Sequence, residues 1–135
     1  MTRPILLDTC ALIWFANNDI LSRAAEDALV AADASGVAVS PISAWEIGML
    51  VAKGRLRMTS SPMDWFQRVI DLGVALAPLP PAILIASSSL PSDRLRDPAD
   101  RIIAATARAL NYRLMTRDKP LLDFAADGHM TAIAC

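Results

Sequence analysis

Histidine occurs once in this 135-residue chain, at His129, and cysteine twice, at Cys10 and Cys135. A single histidine excludes histidine-rich metal sites and argues against a Ser/His/Asp triad, so His129 is expected to be a plain surface residue. The two cysteines suit neither a disulfide framework nor a zinc site. Long apolar runs are missing as well. The longest, Val74 to Leu90, is interrupted by Pro78, Pro80 and Pro81 and is too short to cross a bilayer. No charged segment leading into an apolar one opens the chain as a signal peptide would, and the expectation is a cytoplasmic protein without membrane contact. Internal repeats, low-complexity tracts and linkers are also lacking, so residues 1–135 are expected to form a single domain with a full core.

Charge of one sign is lacking too: the net charge is −1, which argues neither for nor against nucleic acid. Its distribution is uneven, with six basic and nine acidic groups in residues 1–93, seven and three in 94–119, and none and two in 120–135. The basic segment leaves open a positive rim around an acidic centre or a set of solvated arginines. Apolar residues make up 54% of the chain, roughly 57% on the set for which about 45–50% is usual. That excess points to a buried sheet and an apolar surface for a partner.

The most informative stretch is Asp97-Pro98-Ala99-Asp100-Arg101-Ile102-Ile103-Ala104-Ala105-Thr106-Ala107. Asp97 suits a helix N-cap, Pro98 the first helical position, and Asp100 the third, so a helix is expected to begin at Asp97. Upstream, Pro4 to Asp8 reads as a buried strand with Asp8 at its end, followed by a helix from Thr9 to Phe15. A second helix is expected over Leu21 to Asp33, capped by Ser22, with Ala24, Ala25, Ala28, Leu29 and Ala32 inward and Gly36 as its stop. Val37 to Val39 is the next strand. Ser43 and Glu46 have capping-box spacing, which predicts a helix opening at Glu46 and running to Gly54, followed by a basic loop of Lys53, Arg55 and Arg57. Trp65, Phe66, Val69 and Ile70 recur at helical spacing and read as core. Further strands are expected at Val74–Ala77, Arg113–Thr116 and Thr131–Ala134, with helices at Pro81–Leu90 and Lys119–Ala126.

Strands alternating with helices argue for a parallel sheet with helices on both faces, a three-layer α/β/α fold with four to five strands. In such a sheet Asp8, Glu46, Asp100 and Asp118 can meet at the carboxyl edge, where ligands bind. Two carboxylates ~4 Å apart repel by about 4 kcal/mol at an effective dielectric near 20, more than the ~1 kcal/mol either contributes as a cap. Four together call for a hard cation, magnesium or manganese, and so for phosphoryl chemistry.

Asp8, the block Ser40-Pro41-Ile42-Ser43-Ala44-Trp45-Glu46-Ile47-Gly48, the block Asp97 to Ala107, and Thr116-Arg117-Asp118 together resemble PIN-domain ribonucleases of the VapC toxin type. The resemblance covers nearly the whole chain in the right order. It implies a PIN-like fold and a metal-dependent endoribonuclease that acts as the toxin of a toxin–antitoxin pair. It also implies an acidic quartet of Asp8, Glu46, Asp100 and Asp118 holding Mg2+ or Mn2+ to activate water. Thr116 would orient water or phosphate, Asp97 would support the quartet, and Arg101 would help position substrate. Implied partners are an RNA substrate, a VapB-like antitoxin, and a second copy in a homodimer or toxin–antitoxin hetero-oligomer. The chain departs from relatives at Cys10, Leu95 and Ala99, where His, His and Phe are common, which keeps an inactive PIN-fold interaction module as an alternative. A receiver-like signalling domain fits less well, since Asp8 stands alone and Pro78 follows the third strand. Trp14 and Trp45 are expected in the core or on a dimer surface, ahead of stacking on RNA bases.

Overall fold

Ile5, Leu6 and Leu7 are consecutive and all fully buried, as in a strand covered on both faces. In the computed structural model, which describes residues 3–32 and 36–135, they form β1 (Ile5–Leu7) at the centre of the sheet. The chain continues through α1 (Thr9–Ala16), α2 (Arg23–Ala31), β2 (Val37–Val39), α3 (Pro41–Ala52), α4 (Pro62–Asp71), β3 (Ala75–Leu76) and α5 (Pro81–Ser87). It ends with α6 (Pro98–Leu110), β4 (Arg113–Thr116), α7 (Lys119–Ala126) and β5 (Thr131–Ala134). Strand order is β3-β2-β1-β4-β5, and every pairing is parallel.

Because successive strand residues point to opposite faces, β1 divides its side chains between two cores. Ile5 and Leu7 pack with Val37, Val39 and Met115 against Leu12 of α1, Ile47 of α3, and Phe66 and Val69 of α4. Leu6 packs with Ala38 and Leu114 against Ile103 and Ala104 of α6, and Leu121 and Phe124 of α7. These are the three layers expected.

Register positions the site. Leu7 pairs with Val39 and with Met115, so Asp8, Ser40 and Thr116 emerge level at the carboxyl edge. The Asp8 amide extends the ladder by donating to the Met115 carbonyl at 3.1 Å. Four helices start along this edge, each capped by a side chain from the edge itself: α1 by Asp8, α3 by Ser40, α6 by Asp97 and α7 by Asp118.

Several local expectations change. The helix holding Glu46 opens at Pro41 rather than at Glu46, with Ser40 accepting from the Ile42 amide at 3.1 Å. Pro41 at the first helical position outweighs the Ser43/Glu46 capping box, and Glu46 falls in the second turn. The second helix ends at Ala31, before Gly36, with Ala24 exposed instead of inward, and Asp33 lies outside the described residues. The strand expected at Val74–Ala77 shortens to Ala75–Leu76 at the sheet margin, and the helix from Pro81 stops at Ser87. No helix among the described residues is long and apolar enough to cross a membrane.

Candidate active site

Asp8 is buried at the end of the central strand, where both its carboxylate oxygens are engaged. Oδ1 accepts from the Ala11 amide at 2.7 Å and Oδ2 accepts from the Thr116 hydroxyl at 2.5 Å. Thr116 Oγ1 in turn accepts from the Asp118 amide at 3.0 Å, which ties the ends of β1 and β4 and the start of α7 into one unit. Its proton is committed to Asp8, so in this arrangement Thr116 orients that carboxylate and does not itself offer a donor to phosphate.

Glu46 reaches the edge from the second turn of α3 through a short hydrogen bond from the Thr9 hydroxyl. Thr9 Oγ1 also lies 2.9 Å from the buried Ser43 hydroxyl. Neither is expected at the site from the sequence: Ser43 reads as a capping-box residue and Thr9 only as the start of a helix. The only signal for Thr9 is its place directly after Asp8, and Ser43 is decided by which face of α3 turns inward. Asp97 Oδ1 caps α6 by accepting from the Ala99 and Asp100 amides at 2.9 and 3.1 Å. Asp118 Oδ2 accepts from the Leu121 amide at 3.4 Å.

The fold holds these acids close enough for their charges to act on one another. Burial, and then the charges of Asp97, Asp118, Glu46 and Asp8, push the Asp100 carboxyl up from 3.8 to about 7. Burial also raises Glu46 against the lowering bond from Thr9, with Asp97 and Asp8 adding to the rise. Asp8 is raised by burial, partly countered by its bonds from Thr116 and Ala11. The Cys10 thiol at the rim is pushed up to about 11 by partial burial and then by the field of Asp8, Glu46, Asp100 and Asp118. That sulfur reports the charge of all four acids.

Counter-charge is sparse. None of the three ion pairs formed among the described residues includes an acid of this group. Arg117 lowers Asp8, but its guanidinium lies 3.7 Å from the Trp14 ring centroid and donates to the Cys135 carbonyl at 2.8 Å. Arg101 donates through Nε and Nη1 to the carbonyls of Ser87, Ser92 and Leu95 at 2.8, 3.2 and 2.6 Å. It is therefore a strut bracing the α5–α6 connection, with only Nη2 left for substrate. Nor does the basic segment form a continuous rim: Arg108 and Arg113 lie at the opposite edge of the sheet, bonded to the carbonyls of His129 and Arg3 at 2.8 and 3.0 Å. His129 is half-buried, its ring 4.8 Å from that of Phe124.

Among the described residues no group of three or more His, Cys, Asp or Glu side chains is arranged to hold a metal ion. The donor set nevertheless fits a hard divalent cation in kind. It offers oxygen ligands only, carries more negative charge than its neighbours offset, and has carboxyls raised by burial and then by one another.

The family profile for the PIN domain matches residues 5–126. This chain belongs to the PIN-domain family. Ribonuclease VapC22 of Mycobacterium tuberculosis is 34% identical over 121 residues, covering 90% of this chain and 91% of that protein. Among solved structures, VapBC2 of Rickettsia felis bound to a promoter DNA fragment superposes on this PIN domain with a TM-score of 0.65 at 16% identity, covering 96% of this chain and 97% of the other. A toxin–antitoxin complex from Klebsiella pneumoniae gives 0.63 at 22% identity, with 96% and 95% covered. At those identities the structures speak to the PIN fold.

Proposed function

We propose that this PIN domain is a metal-dependent endoribonuclease, the toxin of a toxin–antitoxin pair, which hydrolyses RNA phosphodiester bonds at the Asp8, Glu46, Asp100 and Asp118 group. The observation that carries the reading is Asp100, held at about 7 by burial and by the charges of four neighbouring carboxylates. A structural cap does not need such company, since one carboxylate per helix start suffices. The ribonuclease VapC22, alike over nine-tenths of both chains, supports the choice of RNA as substrate.

Asp8, Glu46, Asp100 and Asp118 would hold the ion, Mg2+ or Mn2+. When bound it supplies a Lewis acid at phosphate and lowers the pKa of water toward a nucleophile. The chain's own part is to hold these oxygens in place. Thr116 and the Ala11 amide fix Asp8, Thr9 fixes Glu46, and Asp97 anchors the first turn of α6 so that Asp100 faces the other acids. Asp100 must give up its proton for the site to carry full charge, so metal binding releases a proton and metal affinity rises with pH up to about 7. An antitoxin partner and self-association belong to the same reading, supported by exposed Met63, Leu76 and Ile85.

The test is cleavage of a panel of structured and single-stranded RNAs by the purified protein with magnesium, with manganese and with EDTA, beside Asp8→Asn and Asp100→Asn. Metal-dependent cutting lost in both variants is the expected result. Absence of cutting by a folded wild type with every metal and RNA in the panel, including single-stranded RNA, moves the reading to an interaction module.

A further inference from the structure

Trp45 is 55% exposed although its ring is largely apolar, and it stands one residue before Glu46. It forms one wall of a cleft of about 260 Å³ that begins at Glu46 and Asp97, passes Met49, and ends at Lys53 and Arg55. Helical spacing explains the wall. Trp45, Met49 and Lys53 are four residues apart on one face of α3, and Lys53 lies ~10 Å along the axis from Glu46. Gly54, at φ +70°, then reverses the chain, with its amide donating to the Val51 carbonyl at 3.0 Å and the Arg55 amide to the Leu50 carbonyl at 2.9 Å. That turn brings Arg55 back to the cleft beside Lys53. Neither cation takes part in an ion pair among the described residues.

The cleft is thus graded: carboxylates at one end, an aromatic and apolar middle, and two cations at the other. A single-stranded nucleotide presents the same sequence of needs, with a phosphate for the reaction, a base with an apolar face, and another phosphate to be neutralised. We infer that this cleft seats the nucleotide next to the scissile phosphate, with Trp45 against its base and Lys53 and Arg55 on its flanking phosphate. The inference rests on the ribonuclease reading above and adds three substrate-positioning residues to it. All three are exposed, so their replacement leaves the core intact.

The test uses the full chain and a ten-nucleotide single-stranded RNA of mixed sequence, in EDTA for binding and in magnesium for cleavage. RNA binding should quench tryptophan emission, and Trp45→Leu should abolish most of that quench and weaken binding about tenfold. The double variant Lys53→Ala/Arg55→Ala should reduce the slope of log affinity against log salt by about 0.7, the value for one neutralised phosphate on a single strand. In cleavage, both variants should raise KM several-fold while kcat stays within about twofold. Unchanged quench, salt slope and KM, in a protein whose wild type binds and cuts this RNA, overturn the cleft assignment and leave the ribonuclease standing. A wild type that neither binds nor cuts this RNA overturns the cleft assignment, and the ribonuclease reading falls with it only when the whole RNA panel is also left uncut.

Discussion

The two edges of one parallel sheet differ sharply in how they handle charge. At the carboxyl edge, where α1, α3, α6 and α7 begin, Asp8, Glu46, Asp97, Asp100 and Asp118 gather, and Asp8, Glu46 and Asp100 are raised by burial and by neighbouring acids. At the amino edge the arginines have neutral partners instead. Arg3 donates to Asn111 and Thr131 at 2.8 and 2.7 Å, Arg108 to the His129 carbonyl, and Arg113 to the Arg3 carbonyl. Helix dipoles favour this polarity, anions at N-termini and cations at C-termini, and are worth about 0.3–1 kcal/mol for each charge. The difference lies in the surplus. The amino edge places its cations singly, each on oxygens that accept its protons, whereas the carboxyl edge crowds acids beyond what capping needs. That crowding opposes folding, and the bonds from Thr116, Ala11 and Thr9 relieve it only in part.

The comparison breaks first, and with the largest effect, at Asp8. Asp8→Asn should reduce metal-dependent RNA cleavage by about two to three decades, the kinetic equivalent of several kcal/mol of lost charge stabilisation. Arg108→Ala at the opposite edge should leave cleavage within about twofold, and a loss there comparable to Asp8→Asn would remove the distinction between the edges.

Cys10 gives a smaller effect that does not depend on catalysis. With Cys135→Ser as background, alkylation of Cys10 at pH 8 should be slow because its thiol is raised to about 11. Adding magnesium, or replacing Asp100 by Asn, weakens the negative field and should speed the reaction several-fold up to about tenfold, since one unit of pKa is tenfold in thiolate. A rate indifferent to both would show that the acids do not share a field at Cys10.

Stability against pH follows next. The folded Asp100 carboxyl titrates near 7 and the unfolded one near 3.8, so the folded state holds the extra proton between those values. Stability of the metal-free protein therefore falls as pH rises from about 4 to about 7. Allowing for the solvent that reaches this half-buried group, Asp100→Asn should stabilise the metal-free protein by about 1–2 kcal/mol at pH 8 and by about zero at pH 4. Urea unfolding at the two pH values measures this, and destabilisation at pH 8 would assign Asp100 to structure alone. The smallest effect belongs to the amino edge: Arg3→Ala, removing two exposed hydrogen bonds, should cost about 0.5–1 kcal/mol with little dependence on pH between 5 and 8.

Much of this architecture was readable in the chain because local chemistry and tertiary structure agree. Pro98 after Asp97 marked the start of α6, the apolar run before Asp8 marked the central strand, and Arg113–Thr116 and Thr131–Ala134 form the strands their composition suggested. Where two local signals competed, the reading failed. Ser43 and Glu46 satisfied a capping box, yet Ser40 and Pro41 hold the true start of α3, and Ser43 turns inward to Thr9. Arg101 showed a charge in a suggestive place, but its carbonyl partners come from the α5–α6 connection and no spacing reveals them.

The sequence by itself determined that these helices and strands alternate, that each strand is apolar enough to be covered on both faces, and that an acid follows or caps at the right places. Periodicity, proline and capping residues act within a few positions of themselves, so they can be read locally. Only the tertiary structure decided that β1 lies between β2 and β4, that Thr116 donates to Asp8 across 108 positions, and that Asp100 feels four other carboxylates. Those facts depend on strand order and burial, and Coulomb interaction depends on distance in space and on the dielectric between charges, neither of which is fixed by separation along the chain.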